Sequence, residues 1–201
     1  MLLTCVLIGV ISAMTVPGIR KHSERTEMAA LAKKGYNTLE QAFDTAIANN
    51  EEPVDKWDNI SRASSFLRAH IAPYANITNP CNCSPDTVTA STQLMEKSNN
   101  CFRGYKEFKK SNNITLDIRS FVTADGIAIA ADNTSTPIKF YIDVNSGLNP
   151  PNMEGVDVFI FTFGKYKSDC SAIDNNNGDW KFCPQQHAKT LMQNSWKINY
   201  W

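Results

Sequence analysis

The fold is decided by residues 28–47, which read MAALAKKGYNTLEQAFDTAI. Apolar side chains recur there at the three- and four-residue spacing of one helix face: Met28, Leu31, Ala32, Tyr36, Leu39, Phe43 and Ile47. Polar and charged side chains occupy the other face: Lys33, Lys34, Glu40, Gln41 and Asp44. Several alanines favour helix, and the next proline is Pro53. The stretch predicts an amphipathic helix of about six turns with one apolar stripe.

An uncharged apolar segment, Met1–Val16, precedes this helix and ends at Pro17. These 16 residues make a helix of ~24 Å, against a hydrocarbon core of ~30 Å. A cleaved signal peptide would carry a basic start and a small-x-small exit, which the segment lacks. A simple anchor oriented by Arg20, Lys21 and Arg25 would leave the protein body in the cytoplasm. We therefore expect both segments to form one long helix, bent near Pro17.

The stretches VLIGVISAMTVPGIRKH (6–22) and LAKKGYNTLEQAF (31–43) resemble the N-terminal helix of type IV pilins and of type II secretion pseudopilins. In that family a basic leader ending in glycine is removed, and an apolar run leads to a proline. Matching Pro17 to that proline places Met1 a few residues inside the mature chain. The resemblance implies that the leader, its cleavage site and a glutamate needed for assembly lie upstream of Met1.

This resemblance implies a subunit held in the bacterial inner membrane by a single-pass helix, with an extracytoplasmic head, and assembled into a helical filament. Its partners would be other pilin-like subunits, the membrane, and prepilin peptidase if an upstream leader exists. Leu7 and Ile11 would supply apolar surface, and Gly9, Ser12 and Ala13 would let neighbouring helices approach closely. Pilus, secretion pseudopilus and DNA-uptake fibre all remain open. The alternative function is a membrane-anchored extracytoplasmic domain that binds a ligand or catalyses a reaction.

Charge and cysteine content narrow the class of protein. The 201 residues include 20 basic and 20 acidic ones, so charge offers no argument for nucleic-acid binding. Six cysteines, separated by segments rich in Asn, Ser and Thr, suit an oxidising compartment. We predict a Cys170–Cys183 disulfide around a hydrophilic loop, and a second between Cys101 and either Cys81 or Cys83. Zinc is the alternative, but the spacing does not fit the usual sites.

The chain divides into a membrane half of the helix (1–19), an amphipathic half (20–50) and a globular head (51–201). The expected fold class is α+β, with the long helix packed on a small antiparallel sheet as in pilins. Apolar periodicity predicts a second helix from Trp57 to Ile71, with Asp55 as its N-cap.

Five segments of the head read as strands. A hairpin is predicted from 121–123 and 127–131, with a type I′ turn at Asp125 and Gly126. Residues 138–144 and 156–163 are rich in β-branched and aromatic side chains. The closing WKINYW (196–201) is expected to be an edge strand.

One group of oxygen donors stands out in the head. Asp143, Asn145 and Asp157 flank a glycine-containing turn and predict a calcium site, as the resemblance to major pseudopilins also implies. An ordinary hydrogen-bonded turn is the interpretation that so Asx-rich a stretch favours, and calcium is the alternative to it. No nucleophile elbow or phosphate-binding loop occurs, so we expect no enzyme and name no catalytic residue.

Overall fold

The computed structural model describes residues 2–50, 53–57, 66–75, 77–79, 119–132, 137–145 and 153–199. Helices and helical turns are α1 (Leu2–Asn49), a 3-10 turn (Val54–Lys56), a π-helical turn (Leu67–Ile71) and α2 (Gln186–Gln193). The strands are β1 (Ile77–Asn79), β2 (Arg119–Thr123), β3 (Ala128–Asp132), β4 (Ile138–Asp143), β5 (Val158–Tyr166) and β6 (Asp179–Pro184). Every strand pairs antiparallel with the next in chain order, which makes the sheet a meander. The predicted α+β class is confirmed.

The second half of α1 packs on one face of the sheet. Its buried side chains are Ala29, Ala32, Leu39, Ala42, Phe43 and Ala46. They share one core with inward-facing aromatic rings of β4, β5 and β6: Phe140, Phe159, Phe161, Phe163 and Phe182. The predicted apolar stripe is therefore confirmed over most of its length. Ile47 was expected in the stripe but is 42% exposed, whereas its neighbour Ala46 is fully buried and ends the buried face of the helix.

Small residues set the distance between α1 and the sheet. A Cβ added to Gly35 would lie 2.6 Å from Cγ2 of Ile142 and 3.2 Å from Cγ2 of Ile127. Periodicity predicts where the large side chains of the helix point, but it carries no information about this close approach. Gly35 is therefore part of the helix and also allows α1 to pack closely on the sheet.

We expect Gly35→Ala to lower the free energy of unfolding by about 1–3 kcal/mol, because the new methyl group overpacks a core contact. This loss would exceed the gain of up to about 1 kcal/mol from replacing glycine in a helix. Chemical denaturation of both proteins measures the difference. Asn37→Ala, at an exposed position of the same helix, is the matched control. A stabilised Gly35→Ala protein would contradict the packing role.

The predicted N-cap at Asp55 is wrong. The 3-10 turn around Asp55 ends at Trp57, whose backbone is extended with ψ 125°, so no helix continues from it. The Asp55 carboxylate instead accepts hydrogen bonds from Lys165 Nζ at 2.9 Å and from Trp180 Nε1 at 3.1 Å. These bonds tie the chain after α1 to the sheet. Residues 58–65 of the predicted second helix lie outside the described residues, and its predicted end coincides with the π-helical turn at Leu67–Ile71.

The predicted hairpin is present as β2 and β3, but its turn differs. The connecting loop has three residues, Ala124 to Gly126, and the Gly126 N–H donates to the Thr123 carbonyl at 3.0 Å. Within this loop positive φ occurs only at Gly126, at 80°, whereas a type I′ turn would need it at Asp125 as well. Three-residue hairpin loops place glycine at this left-handed position, so the Asp-Gly pair fits them equally well.

The C-terminal part of the sheet departs from the prediction. The strands predicted at 138–144 and 156–163 correspond to β4 and β5, but WKINYW is not a strand over its described residues, 196–199. Trp196 instead has φ 60°, and its N–H donates to the Leu191 carbonyl at 2.8 Å, which ends α2. Ile198 then buries its side chain in the main core. β6 takes the edge of the sheet, a position that the hydrophilic sequence around it did not predict.

Candidate functional site

The long helix is the first candidate, because the predicted assembly residues all lie on it. Leu7, Gly9, Ile11, Ser12, Ala13 and Pro17 fall within the α1 backbone, and α1 is helical on both sides of Pro17. The structure describes residues 2–19 by their backbone alone, so the predicted roles of these side chains stay predictions. The predicted bend near Pro17 likewise stays a prediction.

A charged segment separates that apolar stretch from the packed half of α1. Residues 20–28 contain no fully buried side chain, and Ala29 is the first buried one after them. Arg20, Lys21 and His22 are all exposed. Within residues 20–49, whose side chains the structure describes, packing of α1 on the core of the head begins at Met28 and Ala29. No helix in the described part of the chain is at once long enough and apolar enough to cross a membrane.

The second candidate is the turn that joins β4 to β5. Asp143 and Asp157 are fully buried, and Asn145 lies between them. The Asn145 backbone N–H donates to Asp143 Oδ1 at 3.0 Å, and its side-chain Nδ2 donates to Asp157 Oδ2 at 3.0 Å. The other oxygen of Asp157, Oδ1, accepts the Met153 N–H at 2.7 Å. Asp157 thus fastens both ends of the connection between the two strands.

The three predicted calcium ligands are therefore brought together in space. Both carboxylate oxygens of Asp157 accept hydrogen bonds from the chain itself, which is how a buried carboxylate is stabilised without a metal. Among the described residues, no group of three acidic, histidine or cysteine side chains is placed to hold a metal ion. This geometry supports the hydrogen-bonded turn, and calcium stays a prediction.

We expect Asp157→Asn to lower the free energy of unfolding by about 1–3 kcal/mol, since an amide group cannot accept both hydrogen bonds. Thermal unfolding in the presence of a calcium chelator measures the loss. Asp157→Asn should lose the same amount of unfolding free energy when the measurement is repeated with calcium added. Asp157 would instead be a metal ligand if two results were found together. Calcium would have to stabilise the wild-type protein, and Asp157→Asn would have to lose no stability in chelator.

Helix α2 closes the other side of this turn. Gly155 has φ 82°, and a Cβ there would lie 2.5 Å from Cγ of His187 on α2. Only glycine meets both requirements without strain. Burial raises the pKa of the neighbouring Glu154, while the positive charges of His187 and Lys139 act to lower it. The histidine thus has a packing role at the turn, which its place in the sequence did not predict.

The predicted Cys170–Cys183 disulfide is present, with the Cα atoms 5.5 Å apart. It joins the loop after β5 to the edge strand β6. The pairing predicted for Cys81, Cys83 and Cys101 lies outside the described residues. Cys183 is buried at 1% exposure, so the bond fixes the loop directly to the core of the head.

Sequence periodicity placed Glu40 on the polar face of α1, but it is only partly exposed. The Tyr36 hydroxyl donates a hydrogen bond to Glu40 Oε1, and the Tyr36 ring stacks on Phe161 with centroids 4.9 Å apart. Burial raises the pKa of both side chains. His70 also packs, stacking on Trp57 at 4.1 Å. The Tyr36 ring therefore joins α1 to β5, while its hydrogen bond to Glu40 stays within the helix.

Comparison with known proteins does not assign the chain to a family. No family model matches it, and neither the curated proteins nor the solved structures include a significant match.

Proposed function

We propose that this chain is a pilin-like structural subunit of a type IV pilus or a type II secretion pseudopilus. In this proposal the first half of α1 holds the subunit in the inner membrane until it is assembled, through the same helix, into a filament. Its partners are other pilin-like subunits. The head faces the extracytoplasmic side.

The observation that carries the proposal is the length of α1. The helix has 48 residues, or ~72 Å, and within residues 20–49, whose side chains are described, the buried ones begin at Ala29. Leu2 to Met28 alone account for ~40 Å of helix. A ligand-binding or catalytic head has no need of so long a continuous helix, whereas a subunit that packs helix against helix does.

The sequence of that first half supports the same use. Leu2 to Val16 are free of charge, and they lie beyond a segment in which no side chain is buried by the head. Apolar helix surface is stable when lipid or other helices cover it. Gly9, Ser12 and Ala13 suit contact between helices, because small side chains allow a close approach.

The second candidate function is a membrane-anchored binding or enzymatic domain. It is supported by a head that contains its own disulfide and its own aromatic core. The two functions differ in what they require of α1. An anchor needs apolar length alone, whereas a filament subunit also needs a surface that fits other helices.

Gly9→Leu separates the two functions. It keeps the segment apolar but adds bulk where helices would approach, so we expect normal membrane association and an at least about tenfold loss of filament incorporation. Ile11→Lys should abolish both properties. Fractionation of membranes and of sheared surface filaments in the producing cell measures them.

Gln41→Lys, a charge at an exposed position on the packed half of α1, is the control for Ile11→Lys and should behave as wild type. Filaments that contain Gly9→Leu or Ile11→Lys at wild-type levels would contradict the assembly role. Absence of the wild-type chain from filaments, together with its presence in membranes, would favour the anchored domain.

A further inference from the structure

Asn177 and Gly178 form the single Asn-Gly step in the 201 residues. An asparagine followed by glycine is chemically labile, because no side chain on the next residue hinders attack of its backbone nitrogen on the asparagine amide. Asn177 is exposed to solvent in the loop before β6. Its surroundings, however, restrain the backbone that would have to move.

Three hydrogen bonds to Asp174 hold this step in one conformation. Asp174 Oδ1 accepts the N–H groups of Asn176 at 3.2 Å and of Asn177 at 2.9 Å. The Asp174 carbonyl accepts the Gly178 N–H at 2.9 Å. The nitrogen that would attack is therefore already engaged as a donor.

Packing on the sheet adds to this restraint. A Cβ on Gly178 would lie 2.4 Å from the Asp174 carbonyl oxygen and 2.9 Å from the backbone nitrogen and oxygen of Tyr166. The Asp174 N–H donates in turn to the Lys165 carbonyl at 2.9 Å. The Cys170–Cys183 disulfide encloses the whole turn. Opening the loop would release every one of these contacts together.

We propose that Asn177 is a conditional deamidation site, protected while the disulfide loop is closed and modified once it opens. In the open loop the Gly178 nitrogen loses its proton to hydroxide and bonds to Cγ of Asn177. Ammonia leaves, carrying the former amide nitrogen, and a succinimide ring remains. One water molecule then opens the ring at either carbonyl to give aspartate or isoaspartate.

The modification would hinder the loop from closing again. Either product adds a carboxylate within the turn that Asp174 organises, and like charges at short range repel. Isoaspartate also lengthens the main chain by one carbon, in a turn that has no room for even a Cβ at Gly178. Deamidation at Asn177 is a covalent change, and it therefore marks each chain whose loop has opened.

The test follows Asn177 by peptide mass spectrometry, with fragmentation that distinguishes isoaspartate. The purified full-length chain is incubated in mildly alkaline buffer with its disulfide intact, after reduction with dithiothreitol, and after reduction in guanidinium chloride. We expect the intact protein to react at least about tenfold more slowly than the denatured chain. The reduced protein and an oxidised Asp174→Ala variant should approach the denatured rate.

Asn175 and Asn176 are followed by asparagine and serve as internal controls that should stay largely unmodified in every sample. If the intact protein reacted as fast as the denatured chain, the turn would give no protection and the proposal would fail. It would also fail if reduction left the rate unchanged. If Asp174→Ala does not fold, the reduced wild-type sample still tests the proposal.

Discussion

Phe163→Ala should lower the free energy of unfolding by about 3–5 kcal/mol, the loss typical of a large aromatic residue removed from a core. Phe163 is 2% exposed and lies at the centre of the contact between α1 and the sheet. Its ring centroid is 4.9 Å from that of Phe43 on α1, 4.7 Å from that of Phe66 and 4.9 Å from that of Phe182. One truncation therefore weakens the helix, the π-helical turn and the edge strand together.

Two further variants make this measurement specific. Phe163→Leu retains most of the volume and should cost less than about 1.5 kcal/mol. Ile173→Ala, at a side chain that is 50% exposed, should change stability by no more than about 0.5 kcal/mol. Equilibrium denaturation in guanidinium chloride gives all three values. An effect of Phe163→Ala below that of Phe163→Leu would show that the aromatic cluster does not hold α1 on the sheet.

Loss of the disulfide is the second large effect. We expect the double variant Cys170→Ala and Cys183→Ala to lose about 3 kcal/mol of unfolding free energy, because the unfolded chain regains the freedom of a short closed loop. The sequence separation of the two cysteines is 13 residues, which sets that magnitude. Denaturation of the variant and of the oxidised wild type measures the difference.

Wild-type protein reduced with dithiothreitol is the control, and it should lose at least this much stability without any change of side chain, since reduction also opens the second predicted bridge. The variant should lose less stability on reduction than the wild type does. A reduced wild type as stable as the oxidised form would show that the loop adds nothing to the stability of the head.

Much of the fold could be predicted from local pattern. The apolar stripe of α1, strands β4 and β5, and the Cys170–Cys183 pair each follow from residue type and spacing over a short stretch. The elements that the sequence did not predict share a different cause. Strand β6 contains Asp179, Lys181 and Pro184 and joins the sheet through pairing with β5, so its partner decides its conformation.

The candidate sites also combine features that the local sequence predicts with features that only the fold produces. Oxygen donors around a turn could be read from the positions of Asp143, Asn145 and Asp157, but their engagement with Met153 and with one another depends on the folded connection. Asp55 shows the same limit. Its type and position suit a helix cap, yet Lys165 and Trp180 are brought to it from the distant strands β5 and β6.

By itself the sequence determined that a long helix with one apolar stripe packs on an antiparallel sheet, because periodicity records which side of each element is buried. Only the tertiary structure decided how closely they pack. The clearance at Gly35 and the ring of His187 against Gly155 each depend on atoms from distant parts of the chain. Such contacts arise from close packing in three dimensions, which no local pattern encodes.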